Sequence, residues 1–200
     1  MSEPRQERAD AARNRAAILH AAEQLLAGQR PEHISLDQIA QHAGVGKGTI
    51  FHRFGSRTGL MRSLMQERVR VLDDAIQVGP PPLGPGAPPQ ERLIAFLDAA
   101  IDLATRNIAL IAAYEQAEQA EQGERQEGFV YQSWHRHIAS LITEARPDLD
   151  ADLIGHILLS SLHSDLVTHL LRRGETTRLT TTLRELVASL LDAPQGDPSR

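Results

Sequence analysis

Residues 35–54, SLDQIAQHAGVGKGTIFHRF, are the stretch that most constrains how this chain can fold. Ser35 precedes a run of helical periodicity and can cap it, because its hydroxyl oxygen can accept from the free N–H groups of the first turn. Gly44 ends that helix, since glycine adopts the left-handed conformation at a helix C-terminus at little cost. A second helical pattern follows, with Ile50 and Phe54 facing the first helix. Two short helices joined by a glycine turn predict a helix-turn-helix.

The outer face of the second helix carries side chains that suit DNA. We assign phosphate contacts to the cations Lys47 and Arg57, and base-edge or thymine-methyl contacts to Thr49, Phe51 and His52. Core packing is the alternative role for Phe51. Two glycines would let the backbone approach DNA closely, and a serine hydroxyl can be shared between helix cap and phosphate. The predicted DNA-contacting set is Arg13, Ser35, Gly46, Lys47, Gly48, Thr49, Phe51, His52 and Arg57.

This stretch resembles the DNA-binding domain of the TetR family of bacterial transcriptional regulators. The resemblance covers roughly residues 13–64. It departs from the family pattern at Gly46, where a serine is usual, at Arg57, where a lysine is usual, and at residues 58–59, where an acidic residue is usual. The matching residues are Ile39-Ala40, Ala43-Gly44-Val45, Gly48-Thr49-Ile50-Phe51-His52, Phe54, Ser56-Arg57 and Leu60.

The resemblance implies a regulator, a repressor in preference to an activator, that binds double-stranded DNA as a homodimer and is released by a small-molecule effector. A two-fold dimer presents two recognition helices to half-sites about 34–36 Å apart, or a multiple of this, so the expected operator is a palindrome. Two alternatives stay open. One is a helical small-molecule- or metal-binding protein whose first helices are only structural. The other is a DNA-binding factor that is regulated by a protein partner and is not a ligand-released repressor.

Charge is divided unevenly along the chain, which has a net charge of −5. Residues 1–70 hold 11 Lys and Arg against 7 Asp and Glu, a balance of +4, whereas residues 71–200 hold 10 against 19, a balance of −9. A basic amino-terminal part is suited to displacing counterions from DNA. The chain has no cysteine, its first residues are charged, and no apolar run approaches the ~18 residues of a membrane span. We therefore expect a cytoplasmic protein that has no membrane partner.

The expected fold class is all-α, with an amino-terminal three-helix helix-turn-helix domain and a carboxyl-terminal helical domain for ligand binding and dimerisation. We predict a flexible arm at 1–12, the DNA-binding domain at 13–58, the effector-binding and dimerisation domain at 59–192, and a flexible tail at 193–200. Residues 79–89, GPPPLGPGAPP, form a connector within the second domain, because proline and glycine exclude regular structure there. Apolar periodicity predicts one long helix over 149–173 and a coiled-coil-like helix over 177–191.

Two sets of residues are assigned in the carboxyl-terminal domain. Aromatic and polar side chains on the middle helices are candidates for lining an effector pocket, with ordinary core packing as the alternative for each: Phe96, Tyr114, Phe129, Tyr131, Trp134, His137 and His163. Leucines of the last helices are candidates for the dimer interface, with the monomer's own core as the alternative: Leu158, Leu162, Leu166, Leu179, Leu183, Leu186 and Leu190.

Enzyme and cofactor motifs fail on spacing. The run GVGKGT lacks the spacing of a phosphate-binding loop, because Gly48 stands where that motif needs serine or threonine. The serine, histidine and aspartate of SSLHSD lie too close on one helix to converge as a catalytic triad. His135 and His137 point about 200° apart on a helix, which argues against a metal site between them. The sequence therefore predicts no catalytic residues, no metal ligands and no cofactor.

Overall fold

The computed structural model describes residues 3–112 and 124–192, and every regular element in these ranges is helical. The predicted all-α fold is confirmed. A 3-10 turn spans Pro31–His33, and the helices are α1 (Glu3–Gly28), α2 (Leu36–Ala43), α3 (Lys47–Phe54), α4 (Arg57–Val78), α5 (Pro89–Ala112), α6 (Glu124–Ala145), α7 (Ala151–Leu162), α8 (Asp165–Arg172) and α9 (Thr176–Asp192). Tyr114 and residues 193–200 lie outside the described residues.

The chain divides into two compact units. The amino-terminal unit comprises residues 1–68 and 109–119, and the carboxyl-terminal unit comprises residues 69–108 and 120–200. The predicted boundary at 58–59 falls at the start of α4, whereas the observed division lies within α4, between Arg68 and Val69.

The core of the amino-terminal unit is formed where α1, α2, α3 and the first turns of α4 meet. The two short helices contribute Ile39 and Ile50, both fully buried, and α4 contributes Leu60. Burial of an isoleucine side chain stabilises a fold by roughly 1.5–3 kcal/mol, so these residues hold α3 against the rest of the unit. An ion pair between Arg68 and Glu23, with Nη2 2.9 Å from Oε2, joins α4 to α1 at the edge of this core.

Helix α1 begins at Glu3 and so includes most of residues 1–12, for which the sequence predicts an arm before the DNA-binding domain. The additional residues, EPRQERADAA, are rich in alanine, glutamate, glutamine and arginine, which have high intrinsic helix propensity. Periodicity detects only the part of a helix that packs on a core, so it does not mark where a helix with strong intrinsic propensity begins.

The carboxyl-terminal unit packs its helices around two apolar clusters. The larger centres on Phe96 of α5, Trp134 and Ile138 of α6, and Leu159 of α7. The smaller joins Ile101 of α5 to the buried sides of α8 and α9. Residues 79–88 form turns and bends between α4 and α5, as their proline and glycine content predicts, and Pro89, the last residue of the predicted connector, is the first residue of α5.

The single helix predicted over 149–173 is wrong, because the chain breaks it into α7 and α8. His163 ends α7, and Ser164 begins α8 as an N-cap whose hydroxyl oxygen accepts from the N–H of Val167 at 3.2 Å. Serine side chains compete with the helical backbone for such hydrogen bonds, which favours a helix start over a helix interior. The leucine periodicity continues through the break, because α7 and α8 each bury one side. The apolar pattern alone therefore does not indicate the interruption.

Arg146, just beyond the end of α6, links that helix to the end of α9. Its guanidinium is buried and donates to both carboxylate oxygens of Asp148, at 2.8 and 2.7 Å. Its Nη1 donates to the carbonyl oxygen of Leu190 at 3.0 Å, which satisfies one of the carbonyl groups left free in the last turn of α9. We call this arrangement the Arg146 clamp. Within the described residues, no helix is long and apolar enough to cross a membrane.

Candidate DNA-binding surface

The predicted helix-turn-helix is present as α2, a glycine turn and α3. Ser35 caps α2 in a reciprocal arrangement: its hydroxyl accepts from the N–H of Gln38 at 3.2 Å, and its own N–H donates to the Gln38 side chain at 2.7 Å. Gly44 follows with φ of 66°, in the left-handed region that favours glycine. The N–H of Val45 donates to the carbonyl oxygen of Ala40 at 3.0 Å, which closes the turn. These local interactions fix the direction in which α3 leaves α2.

The outer face of α3 is exposed, as its sequence predicts. Lys47, Phe51 and His52 are all solvent-accessible, and the Phe51 side chain keeps 45% of its surface exposed. Thr49 is half-buried between the exposed and the core-facing sides. Ile50 on the opposite face is fully buried, so the helix presents one apolar and one polar side. The exposure of an aromatic ring beside a lysine and a histidine favours a contact role for Phe51 over core packing.

Glycine, and not a capping side chain, precedes the amino-terminal end of α3. Gly46 stands at the N-cap position, and the N–H of Thr49 donates to the Gly46 carbonyl oxygen at 2.9 Å, but no side chain of the described residues caps this end of the helix. Free N–H groups at a helix N-terminus attract phosphate oxygens, because they carry the positive end of the helix dipole. Both Gly46 and Gly48 are exposed, which leaves this end of the helix accessible.

Two of the predicted phosphate-binding cations have partners within the protein. The Lys47 ammonium lies 2.8 Å from Oδ2 of Asp37, in an exposed ion pair between α3 and α2. Arg57 is half-buried at the start of α4, and its Nη2 donates to the carbonyl oxygen of Pro31. Arg13 is exposed on α1, where it pairs with Asp10. Sequence reasoning did not identify Asp37 as a member of this surface, because the pairing requires knowing how α2 and α3 cross.

The described candidates for the effector pocket fall into two groups in the carboxyl-terminal unit. Phe96 is fully buried, with its ring centroid 5.6 Å from that of Trp134 and 5.4 Å from that of His137. Tyr131 instead lies towards α7, with its ring centroid 6.1 Å from that of His163. Phe129 lies in α6, but its side chain is outside the described part of the structure, as is all of Tyr114.

Two titratable side chains at the first of these groups, Asp73 and His137, have shifted pKa values. Trp134 donates from its indole Nε1 to Oδ1 of Asp73 at 2.7 Å, and burial raises the pKa of Asp73 although this hydrogen bond opposes the change. Burial, with the nearby Arg92 cation, lowers the pKa of His137 from 6.5 to about 4. Its Nε2 is buried and makes no hydrogen bond among the described residues. A neutral imidazole is therefore held in an edge-type contact with Phe96, with the two ring planes 70° apart.

The predicted interface leucines divide between the inside and the outside of the carboxyl-terminal unit. Leu158, Leu179 and Leu183 are buried in that unit's own core, because their sides of α7 and α9 pack on α5 and α6. Leu162 and Leu190 are partly buried. Leu166 and Leu186 are exposed, and two residues that were not in the predicted set, Leu153 and Ile157, also expose large apolar side chains on α7. Periodicity alone could not distinguish the two sides of these helices, since both are apolar.

The segment that contains the helix-turn-helix is also the segment that matches a known protein family. Residues 18–64 match the family described as bacterial regulatory proteins, tetR family. Residues 18–64 thus carry the sequence pattern of that family. The matched segment contains α2, α3 and the buried residues that orient them, so the family assignment rests on the same residues as the structure.

Relatives extend this likeness beyond the matched segment. An uncharacterized HTH-type transcriptional regulator of Mycobacterium tuberculosis is 29% identical over 107 residues, which is 54% of this chain and 52% of that protein. The chain therefore matches about half the length of this curated relative. A TetR transcription regulatory protein from Mycobacterium vanbaalenii is 26% identical, with a TM-score of 0.53, over 84% of this chain and 97% of that one. A TetR/AcrR-family regulator from Thermobifida fusca shares the fold at 20% identity, with a TM-score of 0.59, over 90% of this chain and 98% of that one.

Proposed function

We propose that this chain is a sequence-specific DNA-binding transcriptional regulator that contacts its operator through α3. The observation that carries the proposal is the exposed polar face of a TetR-type recognition helix whose opposite face is anchored by the fully buried Ile50. Rigid anchoring matters because base readout depends on side chains held in a fixed register in the major groove. The assignment of the other predicted contacts, Arg13 and Ser35 among them, is part of this proposal.

Within α3, the proposal separates positioning contacts from specifying contacts. Lys47 and the uncapped N–H groups after Gly46 hold phosphates, a role that does not depend on base sequence. Thr49, Phe51 and His52 read base edges and thymine methyl groups. Arg57 is half-buried and bonded to a backbone carbonyl, so we give it a phosphate contact that also braces the start of α4.

The test of DNA binding is selection of genomic fragments by the purified protein, followed by titration of the enriched site at several salt concentrations. We expect one enriched palindrome and a steep loss of affinity with salt, because phosphate contacts release counterions. Lys47→Ala should weaken binding to specific and random DNA alike and reduce the salt slope by about one unit. Thr49→Ala and His52→Ala should instead cost about 1–3 kcal/mol at particular base pairs only.

A charge-matched control makes this test sharper. Arg106→Ala removes one exposed cation from α5, outside the amino-terminal unit and away from the proposed interface helices, and should leave both affinity and salt slope unchanged. If Lys47→Ala and Arg106→Ala have the same effect, the change reflects net charge, and the assignment of Lys47 as a phosphate contact is wrong. Binding without any preferred sequence would contradict the proposed regulator and favour an architectural DNA-binding role.

We include homodimerisation in the proposed function, with an interface on α7 and α9. It is supported by exposed apolar side chains at Leu153, Ile157 and Leu186, which retain between 52% and 60% of their surface in the monomer. Residues 153 and 157 are one helical turn apart and so share a face of α7. Large exposed apolar side chains on adjacent helix faces are typical of protein interfaces.

Light scattering or sedimentation of Ile157→Glu tests the interface. A buried glutamate at a dimer contact is costly, so the variant should be monomeric at concentrations where the native chain is dimeric. Val78→Glu is the matched control, because Val78 is also exposed and apolar but lies at the end of α4. A dimeric Ile157→Glu variant would remove α7 from the interface, while loss of the dimer in both variants would point to a general effect of charge.

The last part of the proposal is that a small molecule bound in the carboxyl-terminal unit releases the operator, which makes the protein a cytoplasmic repressor. Such release requires a ligand that prefers the conformation unable to fit DNA. One relative by fold, the regulator FadR from Bacillus subtilis, has a structure in complex with stearoyl-CoA, at 19% identity to this chain, with a TM-score of 0.54 over 87% of this chain and 97% of that one. Calorimetric screening of metabolites, followed by competition with bound operator, is the test. A ligand that binds without altering operator affinity would contradict effector release.

A further inference from the structure

Three potential metal ligands converge where α6 packs on α7. His135 comes from α6, Asp152 from the first turn of α7, and His156 from the next turn of α7. One ligand atom from each of these side chains lies within 4.8 Å of the other two. His135 Nε2 is 3.6 Å from Oδ1 of Asp152, and the side chains of His135 and Asp152 retain 13% and 80% of their exposure. The cluster thus has one largely buried ligand and opens onto the surface.

These distances suit a small divalent transition ion. Two ligands of a tetrahedral Zn²⁺ ion, each at about 2.0–2.1 Å from the metal, lie roughly 3.4 Å apart. The His135–Asp152 separation already meets this value to within a few tenths of an ångström. The ligand atom of His156 lies within 4.8 Å of the other two, and because His156 is exposed, a change of its side-chain torsions can bring it towards the ion.

We propose that His135, Asp152 and His156 form a site for a divalent transition-metal ion, with Zn²⁺ as the best fit and water completing the coordination. Two imidazoles and one carboxylate favour Zn²⁺ and its borderline neighbours over Mg²⁺ and Ca²⁺, which prefer oxygen ligands. This site is separate from the DNA-binding surface and is additional to the function proposed above.

Neighbouring residues hold the two imidazoles in place. The Tyr131 hydroxyl lies 2.9 Å from Nδ1 of His156. The rings of His135 and His156 are stacked with centroids 3.8 Å apart, so their nitrogen lone pairs lie in nearly parallel planes, and the His156 ring must tilt for both imidazoles to face one ion. Metal-binding histidines usually have their second nitrogen hydrogen-bonded, since this fixes the ring orientation and the tautomer. Tyr131 supplies such a partner for His156. His135 Nε2 also lies 3.0 Å from the Asp152 carbonyl oxygen, and binding of an ion at Nε2 would break this contact and leave the ring proton on Nδ1.

Gly155 provides the space in which the His135 ring lies. A Cβ atom at this position would sit 3.2 Å from both Cδ2 and Nε2 of His135, closer than ordinary van der Waals contact. Any side chain at residue 155 would therefore push the imidazole away from α7. A groove of about 370 Å³ adjoins the cluster and is lined by all three ligands together with Tyr131, so hydrated ions can reach the site.

The sequence did not reveal this site because the histidines were compared within single helices. His135 was compared with its neighbour His137, whose ring lies instead against Phe96. Ligands on two different helices have no fixed sequence spacing, so they can be recognised only when the packing of α6 on α7 is known.

The experiment uses untagged, full-length protein stripped with EDTA and titrated calorimetrically with Zn²⁺, Co²⁺ and Mg²⁺ in separate runs. We expect one Zn²⁺ per chain, no Mg²⁺ binding, and a visible absorption band for Co²⁺ typical of nitrogen and oxygen ligation. His156→Ala and Asp152→Asn should each weaken Zn²⁺ binding about tenfold or more. His169→Gln is the matched control, because this exposed histidine lies on α8, outside the cluster.

Gly155→Ala gives a second measurement that removes no ligand. Its Zn²⁺ affinity should fall if the position of His135 matters, while circular dichroism in the absence of metal checks that the variant still folds. Unchanged Zn²⁺ binding in His156→Ala and Asp152→Asn, or equal weakening in His169→Gln, would overturn the proposal. So would a native chain that binds no Zn²⁺. Because no DNA is present in these titrations, their outcome is independent of operator binding.

Discussion

His137 should make the folded state sensitive to mild acid. Burial beside Arg92 lowers its pKa from 6.5 to about 4 in the folded protein, whereas the unfolded chain titrates near 6.5. Above pH 6.5 the ring is neutral in both states, and its contribution to stability is complete. Between pH 6.5 and about 4, His137 is protonated in the unfolded chain but still neutral in the folded chain. The free energy of unfolding therefore falls as the pH is lowered through this window, and His137 causes no further loss below it.

The magnitude follows from the size of the pKa change. A pKa lowered from 6.5 to about 4 corresponds to roughly 3 kcal/mol of preference for the neutral ring at full effect. Part of the ring reaches solvent, and screening reduces such values, so we expect about 1–2 kcal/mol between pH 7.5 and pH 5. For a chain of this size, that corresponds to a loss of roughly 2–8 °C in Tm.

The assay compares thermal unfolding of the native chain and His137→Gln at pH 7.5 and pH 5, at one protein concentration and with EDTA present. Glutamine does not titrate, so the variant should lose less Tm on acidification than the native chain. His169→Gln, which replaces an exposed histidine, should behave as the native chain does. An acid-induced loss of Tm that is equal in all three proteins would refute the assignment of this sensitivity to His137.

Three further predictions concern other residues. Gly44→Ala should lower the free energy of unfolding, measured by chemical denaturation, by about 1–2 kcal/mol, because alanine is strained at the φ of 66° found there. Gly48→Ala should instead raise it by up to about 1 kcal/mol, because an added Cβ meets no atom of the described residues within 4 Å. Asp37→Asn should strengthen operator binding in fluorescence anisotropy, since it removes the carboxylate 2.8 Å from the Lys47 ammonium; weaker binding would mean that this ion pair orients the lysine for DNA. Asp73→Asn should raise Tm at pH 7, because burial raises the pKa of this carboxyl and disfavours its charged form, and the difference should disappear below pH 3.8.

The amino-terminal elements could be predicted closely because their signals are local. Ser35 caps α2 and Gly44 ends it, and both roles depend on backbone geometry within a few residues. Ser56 makes a similar local contact at the start of α4, where its hydroxyl oxygen accepts from the N–H of Gly59 at 3.0 Å. Such local interactions can be predicted from short sequence patterns. The Lys47–Asp37 ion pair cannot, because it depends on how two helices cross.

The carboxyl-terminal unit could be predicted only in outline, because its helices are apolar on more than one side. Leucine spacing correctly indicates helices around α7 and α9 but cannot tell Leu183, which is buried, from Leu186, which is exposed. It also runs through the break at Ser164, where a hydroxyl cap decides the boundary. The convergence of His135 and His156 could not be predicted either, because it depends on how α6 packs on α7 and on the absence of a side chain at Gly155.

The Arg146 clamp has a mechanical consequence. One guanidinium bonds to Asp148 just after α6 and to the last turn of α9, so neither helix can slide along its axis without breaking a hydrogen bond to a buried cation. Unpaired buried charges are expensive, so small displacements of α6 should carry the end of α9 with them. Tyr131 and His135 lie on α6, and Leu186 lies near the end of α9. We therefore expect α6 and the end of α9 to move together, coupled through Arg146.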